Sequence, residues 1–191
     1  MKRLILFLTI IASFTLQSCQ YNVMVEKEET VTAQWAQVEN VYQRRADLIP
    51  NLVSTVKGYA SHEQETLTGV IEARAKATST TIDPSNLNGE SIQKFQAAQD
   101  GLSSALSKLM VVVERYPDLK ANTGFLELQS QLEGTENRIT VERKKFNETA
   151  QTYNTYIRVF PNNFIAGWFD FEKADYFEAQ EGSNVAPKVE F

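Results

Sequence analysis

The sequence predicts an all-α protein, an antiparallel bundle of about four helices with a long first and a long last member, followed by an aromatic-rich irregular C-terminal tail. Three observations carry this. Apolar residues recur three and four apart along most of the chain. No stretch alternates as a strand does, and hairpin turn signals are missing. Prolines and clusters of turn-forming residues cut the periodic stretches into helix-sized pieces. The chain divides into a leader at 1–18, a tether at 19–29, the bundle at 30–161 and the tail at 162–191.

The first helical stretch has its seam at Val31, Trp35, Val38, Tyr42, Ile49, Leu52, Val56 and Tyr59. Arg45 takes one seam position. Pro50 lacks an N–H and its ring crowds the carbonyl of Ala46, which predicts a kink or a break. Ser61 to Gln64 has capping-box spacing, so a second helix is expected from about Glu63 to Thr78, with Leu67, Val70 and Ile71 in the core. Residues 79–90 are rich in turn formers and read as a loop. The third helix follows Ile92, Phe95, Gln99, Leu102, Leu106, Leu109, Val113 and Tyr116, and Pro117 is expected to stop it. The fourth starts near Asn122 or Thr123. Its seam runs from Phe125 through Leu128, Leu132, Thr135, Ile139, Glu142, Phe146, Thr149, Tyr153 and Ile157 to Phe160, and Pro161 ends it. The tail holds Phe164, Trp168, Phe169, Phe171, Tyr176 and Phe177 without a sustained period. Either it folds back over one end of the bundle, or its rings form a partner-binding surface.

The N-terminus reads as a secretory leader: Lys2 and Arg3, an apolar run from Leu4 to Leu16, then small Ser18. That run is shorter than the roughly 20 residues a membrane-spanning helix needs. Leu16-Gln17-Ser18-Cys19 resembles the lipobox of bacterial lipoproteins, although Gln17 departs from the usual pattern. The resemblance implies that Cys19 becomes the first mature residue and carries acyl chains, its partner being membrane lipid. Each buried methylene contributes about 0.8 kcal/mol, so several chains anchor stably. The expected location is the cell envelope, and Gln20 in place of an Asp favours the outer membrane over the inner.

Composition narrows the chemistry. Loss of Lys2 and Arg3 with the leader takes the formal net charge from −5 to −7. An acidic body has no electrostatic reason to bind nucleic acid. Cys19 is the only cysteine and His62 the only histidine. That excludes an internal disulfide, most Ser/His or Cys/His nucleophilic arrangements, and zinc sites of the Cys/His type. No Glu-x-x-His elements suit a di-iron bundle, and no glycine motif suits a phosphate. The expectation is therefore no catalytic residue, no metal and no cofactor. His62 reads as exposed and inert at a helix start. Arg45 and Glu142 are candidates for an internal ion pair that fixes helix register, if the first and last helices are neighbours. Alternatively both snorkel to the surface.

Three stretches are distinctive: WAQVENVYQRRADLIPNLVSTVKGYASHEQETL from Trp35 to Leu67, VVVERYPDLKAN from Val111 to Asn122, and LEGTENRITVERKKFNETAQTYNTYIRVFP from Leu132 to Pro161. With the ending APKVEF, they resemble the LemA family of bacterial envelope proteins over nearly all of the chain beyond the leader. The resemblance implies a mostly helical bundle with long helices, anchored at its N-terminus. Many members use an N-terminal membrane helix, so a lipobox is a departure in anchoring mode. The family brings no catalytic residues to carry over. Around Arg45 and Glu136-Asn137-Arg138, the polar stretches form either an internal clasp or an interaction surface, with a catalytic pocket as the remaining reading.

The function expected is a membrane-anchored, non-catalytic scaffold or adaptor that binds other envelope proteins. Trp168, Phe169, Phe171, Val189 and Phe191 are the candidate partner contacts, and Val189-Glu190-Phe191 suits a carboxylate-binding groove. The rival readings are a carboxylate-dependent envelope enzyme, which needs converging acids in a deep pocket, and a bundle that binds an apolar ligand between its helices.

Overall fold

The computed structural model describes residues 2–84 and 87–178, with side chains from Gln20 onward. Its elements are α1 (Lys2–Tyr59), α2 (Gln64–Ser79), α3 (Gly89–Val113), α4 (Pro117–Lys120), α5 (Thr123–Arg158) and α6 (Asn162–Trp168). Most of the described residues are helical and no strand occurs among them, as the periodicity predicts. Two short helices, α4 and α6, accompany the four main ones.

α1 and α5 pack along most of their length, α2 packs on α1 and α3, and the bundle is antiparallel. At one end Gln20 of α1 meets Tyr156 of α5. At the other, Asn122 Nδ2 ahead of α5 donates to Tyr59 Oη, at the end of α1, at 2.9 Å.

Residues 20–29, read as a tether, are part of α1. The cause is tertiary. Met24 is fully buried, the Lys27 ammonium lies 5.2 Å from the Tyr156 ring, and Tyr153 Oη donates to Glu28 at 3.4 Å. α5 is long enough to supply a partner for this stretch.

Pro50 neither breaks nor ends α1. It deprives the Ala46 carbonyl of its helical donor, but Arg74 Nε of α2 donates to that oxygen at 2.7 Å. The group freed by the proline becomes a link between helices.

The Ser61 capping box does not form. Glu63 occupies the cap position of α2 with no side-chain cap bond. Its carboxylate instead accepts from Arg115 Nη2 and Tyr116 Oη, both at 2.9 Å, and so ties the α1–α2 turn to the end of α3. Ile71 is exposed, and the core side of α2 is Leu67, Val70 and Ala77. Pro117 opens α4 instead of abruptly ending α3, which suits a residue with no N–H to satisfy at a helix start. Asn88 and Asn122 cap α3 and α5 through their side-chain oxygens.

The core has two apolar clusters. One holds Trp35, Val38, Tyr42, Phe95, Ile139, Phe146, Tyr153 and Phe177. The other holds Ile49, Leu52, Val56, Leu67, Val70, Leu102, Leu109 and Phe125. α1 runs through both. Arg45 and Gln99, both buried, lie on α1 and α3 between the residues of the first cluster and those of the second.

The tail is not wholly irregular. α6 occupies its start, and Asp170 at φ 55° turns the chain back along the bundle. Asp tolerates this left-handed conformation better than most residues do. Phe171, Ala174 and Phe177 then face inward, a period of three.

Candidate functional site

The polar layer is built on Arg45. Its Nη2 donates to Gln99 Oε1 at 2.8 Å and to the Gln99 carbonyl at 3.1 Å. Its Nη1 donates to Ser103 Oγ at 2.9 Å and to Glu136 at 3.0 Å. Gln99 Nε2 in turn reaches the Ala77 carbonyl at 3.2 Å, so the layer touches all four main helices. The guanidinium also lies 5.1 Å from the Tyr42 ring. Arg45 is 2% exposed whereas Glu136 is 56% exposed, so the carboxylate of the pair keeps its water. The Tyr42 phenol is pushed up by burial, partly offset by the Arg143 and Arg45 charges.

The pair expected between Arg45 and Glu142 is not formed. Glu142 accepts from Gln34 Nε2 and from Lys145, each at 2.8 Å. The antiparallel register sets Glu136 level with Arg45, and Glu142 stands nearly two turns further along, about 9 Å. Lys145 first, then Gln34, hold the Glu142 carboxyl below its ordinary range.

A groove lies between α3 and α5, and the tail occupies one half of it. Asn154 Oδ1 accepts from the Ala174 N–H at 2.9 Å, and its Nδ2 donates to the Ala174 carbonyl at 2.7 Å. One heptad back, Asn147 repeats the pattern on Phe177, at 2.9 and 3.0 Å. Each carboxamide thus reads both backbone groups of one residue, as a neighbouring strand would. Gln96 of α3 and Arg143 of α5 both donate to the Glu178 carbonyl, at 3.3 and 3.1 Å. The Arg143 guanidinium lies 4.7 Å from the Phe177 ring, which stacks on Trp35. Asp175 accepts from the Gly89 N–H at 2.6 Å, and a Cβ on Gly89 would meet that carboxylate at 3.1 Å.

Among the described residues the groove continues past Glu178 as a cleft. Ser103 and Glu136 lie one heptad on from Gln96 and Arg143. Leu106, Met110 and Leu132 follow, with Arg45 also lining a cleft of about 380 Å³. The cleft also carries Glu133 and Glu136, a cleft of about 780 Å³ between α2 and α3 carries Glu65 and Glu72, and the recess beside Tyr153, lined by Glu28 and Glu172, is at about 120 Å³ smaller than a small-molecule site needs. Burial, then the Glu28 charge, push the Tyr153 phenol up. Among the described residues no group of three His, Cys, Asp or Glu is placed to hold a metal.

The other expected positions fall as follows. His62 is exposed in the turn before α2. Trp168 and Phe169 are exposed, while Phe171 is half-buried against Tyr21 with ring centroids 5.6 Å apart. The side chain of Cys19, and Val189 and Phe191 altogether, lie outside the described residues. Asn147 and Asn154 were missed by reading the sequence, although each directly follows a seam aromatic, Phe146 or Tyr153, at heptad spacing. Among the described residues no helix is long and apolar enough to cross a membrane.

Residues 34–191 match the model of the LemA family. The chain is similar to magnetosome protein MamQ 2 of Paramagnetospirillum magneticum, at 28% identity over 93% of this chain and 72% of the relative. It is similar to magnetosome protein MamQ of Magnetospirillum gryphiswaldense, at 26% identity over 95% and 74%. It is also similar to protein LemA of Metamycoplasma hominis, at 25% identity over 78% and 64%.

Proposed function

The chain belongs to the LemA family, and on that premise we propose that it is a membrane-anchored, non-catalytic adaptor of the bacterial envelope. Its α3/α5 groove would hold an extended polypeptide segment of another envelope protein. The observation that carries this is the groove itself. One half already grips residues 174–178 of the irregular tail, chiefly through bonds to backbone groups. Among the described residues the other half is a cleft where Leu106, Met110 and Leu132 lie beside Arg45, Glu133 and Glu136. Bonds to backbone, with pockets for alternate side chains, are how extended peptides are recognised. The family match and the magnetosome relatives support membrane association, and the Leu16-to-Cys19 stretch supports a lipid anchor on Cys19.

Photo-cross-linking in living cells tests the adaptor role. A cross-linking residue placed at Leu132, in the groove, is compared with one at exposed Ile71 on α2. Discrete protein adducts from Leu132 alone are expected. The same adducts from both positions, or none from Leu132, contradict the proposal. The anchor has its own test: Cys19→Ser is expected to leave the membrane fraction or to lose lipid labelling.

A further inference from the structure

α6 carries apolar side chains on both of its sides. Asn162, Ile165 and Ala166 face the bundle. The opposite side carries Phe164 and Trp168, one turn apart, where a solvated helix would carry charge. Phe160 packs on Phe164 with centroids 6.0 Å apart, and Phe169 packs on Tyr21 at 4.7 Å. Phe160, Trp168, Phe169 and Phe164 are 81, 71, 58 and 57% exposed. Exposed apolar residues elsewhere, such as Ile71, Val111 and Val141, sit on other helices and other faces. Phe160, Phe164, Trp168 and Phe169 gather with Tyr21 at one end, while exposed Tyr59 lies at the other.

That end is where the apolar leader leaves the bundle. Tyr21 belongs to the aromatic cluster, and α1 continues without a break from it back through residues 19 to 2. Tyr21 lies two residues above Cys19, about 3 Å along the axis, and five above Leu16, about 7.5 Å. Any attachment of residues 4–19 to a bilayer brings the α6 rings to the headgroup level. Trp and Tyr, each with an apolar ring and a polar group, favour that layer, and Phe enters it from the apolar face of an interfacial helix.

We propose that Phe160, Phe164, Trp168 and Phe169 form a second membrane contact that seats the end of the bundle in the lipid interface. The occupant of this face is lipid, not a protein partner. This rests on the anchoring part of the proposed function. With two points of contact, the anchor and α6, the bundle axis is fixed relative to the membrane instead of pivoting about one tether.

The test uses the chain isolated from the bacterial membrane fraction with its Cys19 modification, in phosphatidylcholine vesicles with brominated acyl chains, which quench tryptophan on contact. Trp35 is fully buried and serves as the internal control, and Trp168→Phe removes the exposed reporter. Bromolipid is expected to quench the native chain, and the quenching to be lost in Trp168→Phe. Phe164→Ser is expected to reduce it while leaving helix content unchanged. A chain that floats with the vesicles but is quenched equally with and without Trp168 overturns the α6 contact and leaves the anchor standing. A blue-shifted, unquenched Trp168 means that protein covers the patch, and also overturns it. A full chain that does not float at all overturns both.

Discussion

Arg45 concentrates more consequence than any other side chain. Its guanidinium is held by Gln99, Ser103 and Glu136, and a lysine offers one point charge where four acceptor oxygens are arrayed around a planar fork. Arg45→Ala is expected to destabilise by about 3 kcal/mol, since buried Gln99 loses its partner and a cavity is left. Arg45→Lys should recover only part of that. Glu136→Gln should cost under about 1 kcal/mol, because its carboxylate faces water. Urea denaturation of the three variants measures this asymmetry, and equal losses would contradict it. Glu142 gives a pH signature. Its folded pKa lies below the ordinary 4.5, so its contribution is complete above the unfolded value and is lost as pH falls through the folded one. Glu142→Gln should therefore be less stable than the native chain at pH 7 by about 0.5 kcal/mol. The gap should close as pH falls through the folded value.

At the scale of elements, two contacts explain what propensity alone does not. Pro50 sits within α1 because Arg74 satisfies the Ala46 carbonyl. Arg74→Ala is expected to cost about 1–2 kcal/mol in the native chain. In a Pro50→Ala background the cost should shrink, since a helical N–H becomes available to Ala46. A double-mutant cycle measures the coupling, and additivity within about 0.5 kcal/mol would dissolve the explanation. The tail is the second case. Asn154→Ala strips both backbone bonds from Ala174. Unpairing such half-buried groups costs about 1–3 kcal/mol. Faster amide exchange at Ala174 is the expected readout, with α3 and α5 exchange unchanged.

On the scale of the whole molecule, α1 is the common wall of both apolar clusters. Neither half can lose its packing without exposing one side of α1. Unfolding in urea should therefore be a single transition, coincident by far-ultraviolet circular dichroism and by Trp35 fluorescence in the Trp168→Phe chain. A second dichroism step after the Trp35 change would show that the clusters melt separately and that the Arg45 layer is a boundary between folding units.

The sequence determined the fold class, most of the seam residues and the helix ends at Asn122 and Pro161, because each follows from local sterics, capping chemistry and a period that repeats within one helix; Tyr59 and Phe160, at the ends of their seams, are exposed instead. Trp35, Ile92, Phe146 and Ile157 are buried where that period puts them. The polar seam positions Arg45, Gln99 and Thr135 were legible as interior for the same reason. What they bond to was not, because a partner across the bundle depends on register between helices. A shift of one heptad conserves the whole apolar pattern while exchanging Glu142 for a residue near Glu136. Tertiary structure alone decided that register, the helical state of residues 20–29, the passage through Pro50 and the amide grip on the tail. In each of these the deciding group lies on another element, tens of residues away in sequence, and local propensity carries no information about it.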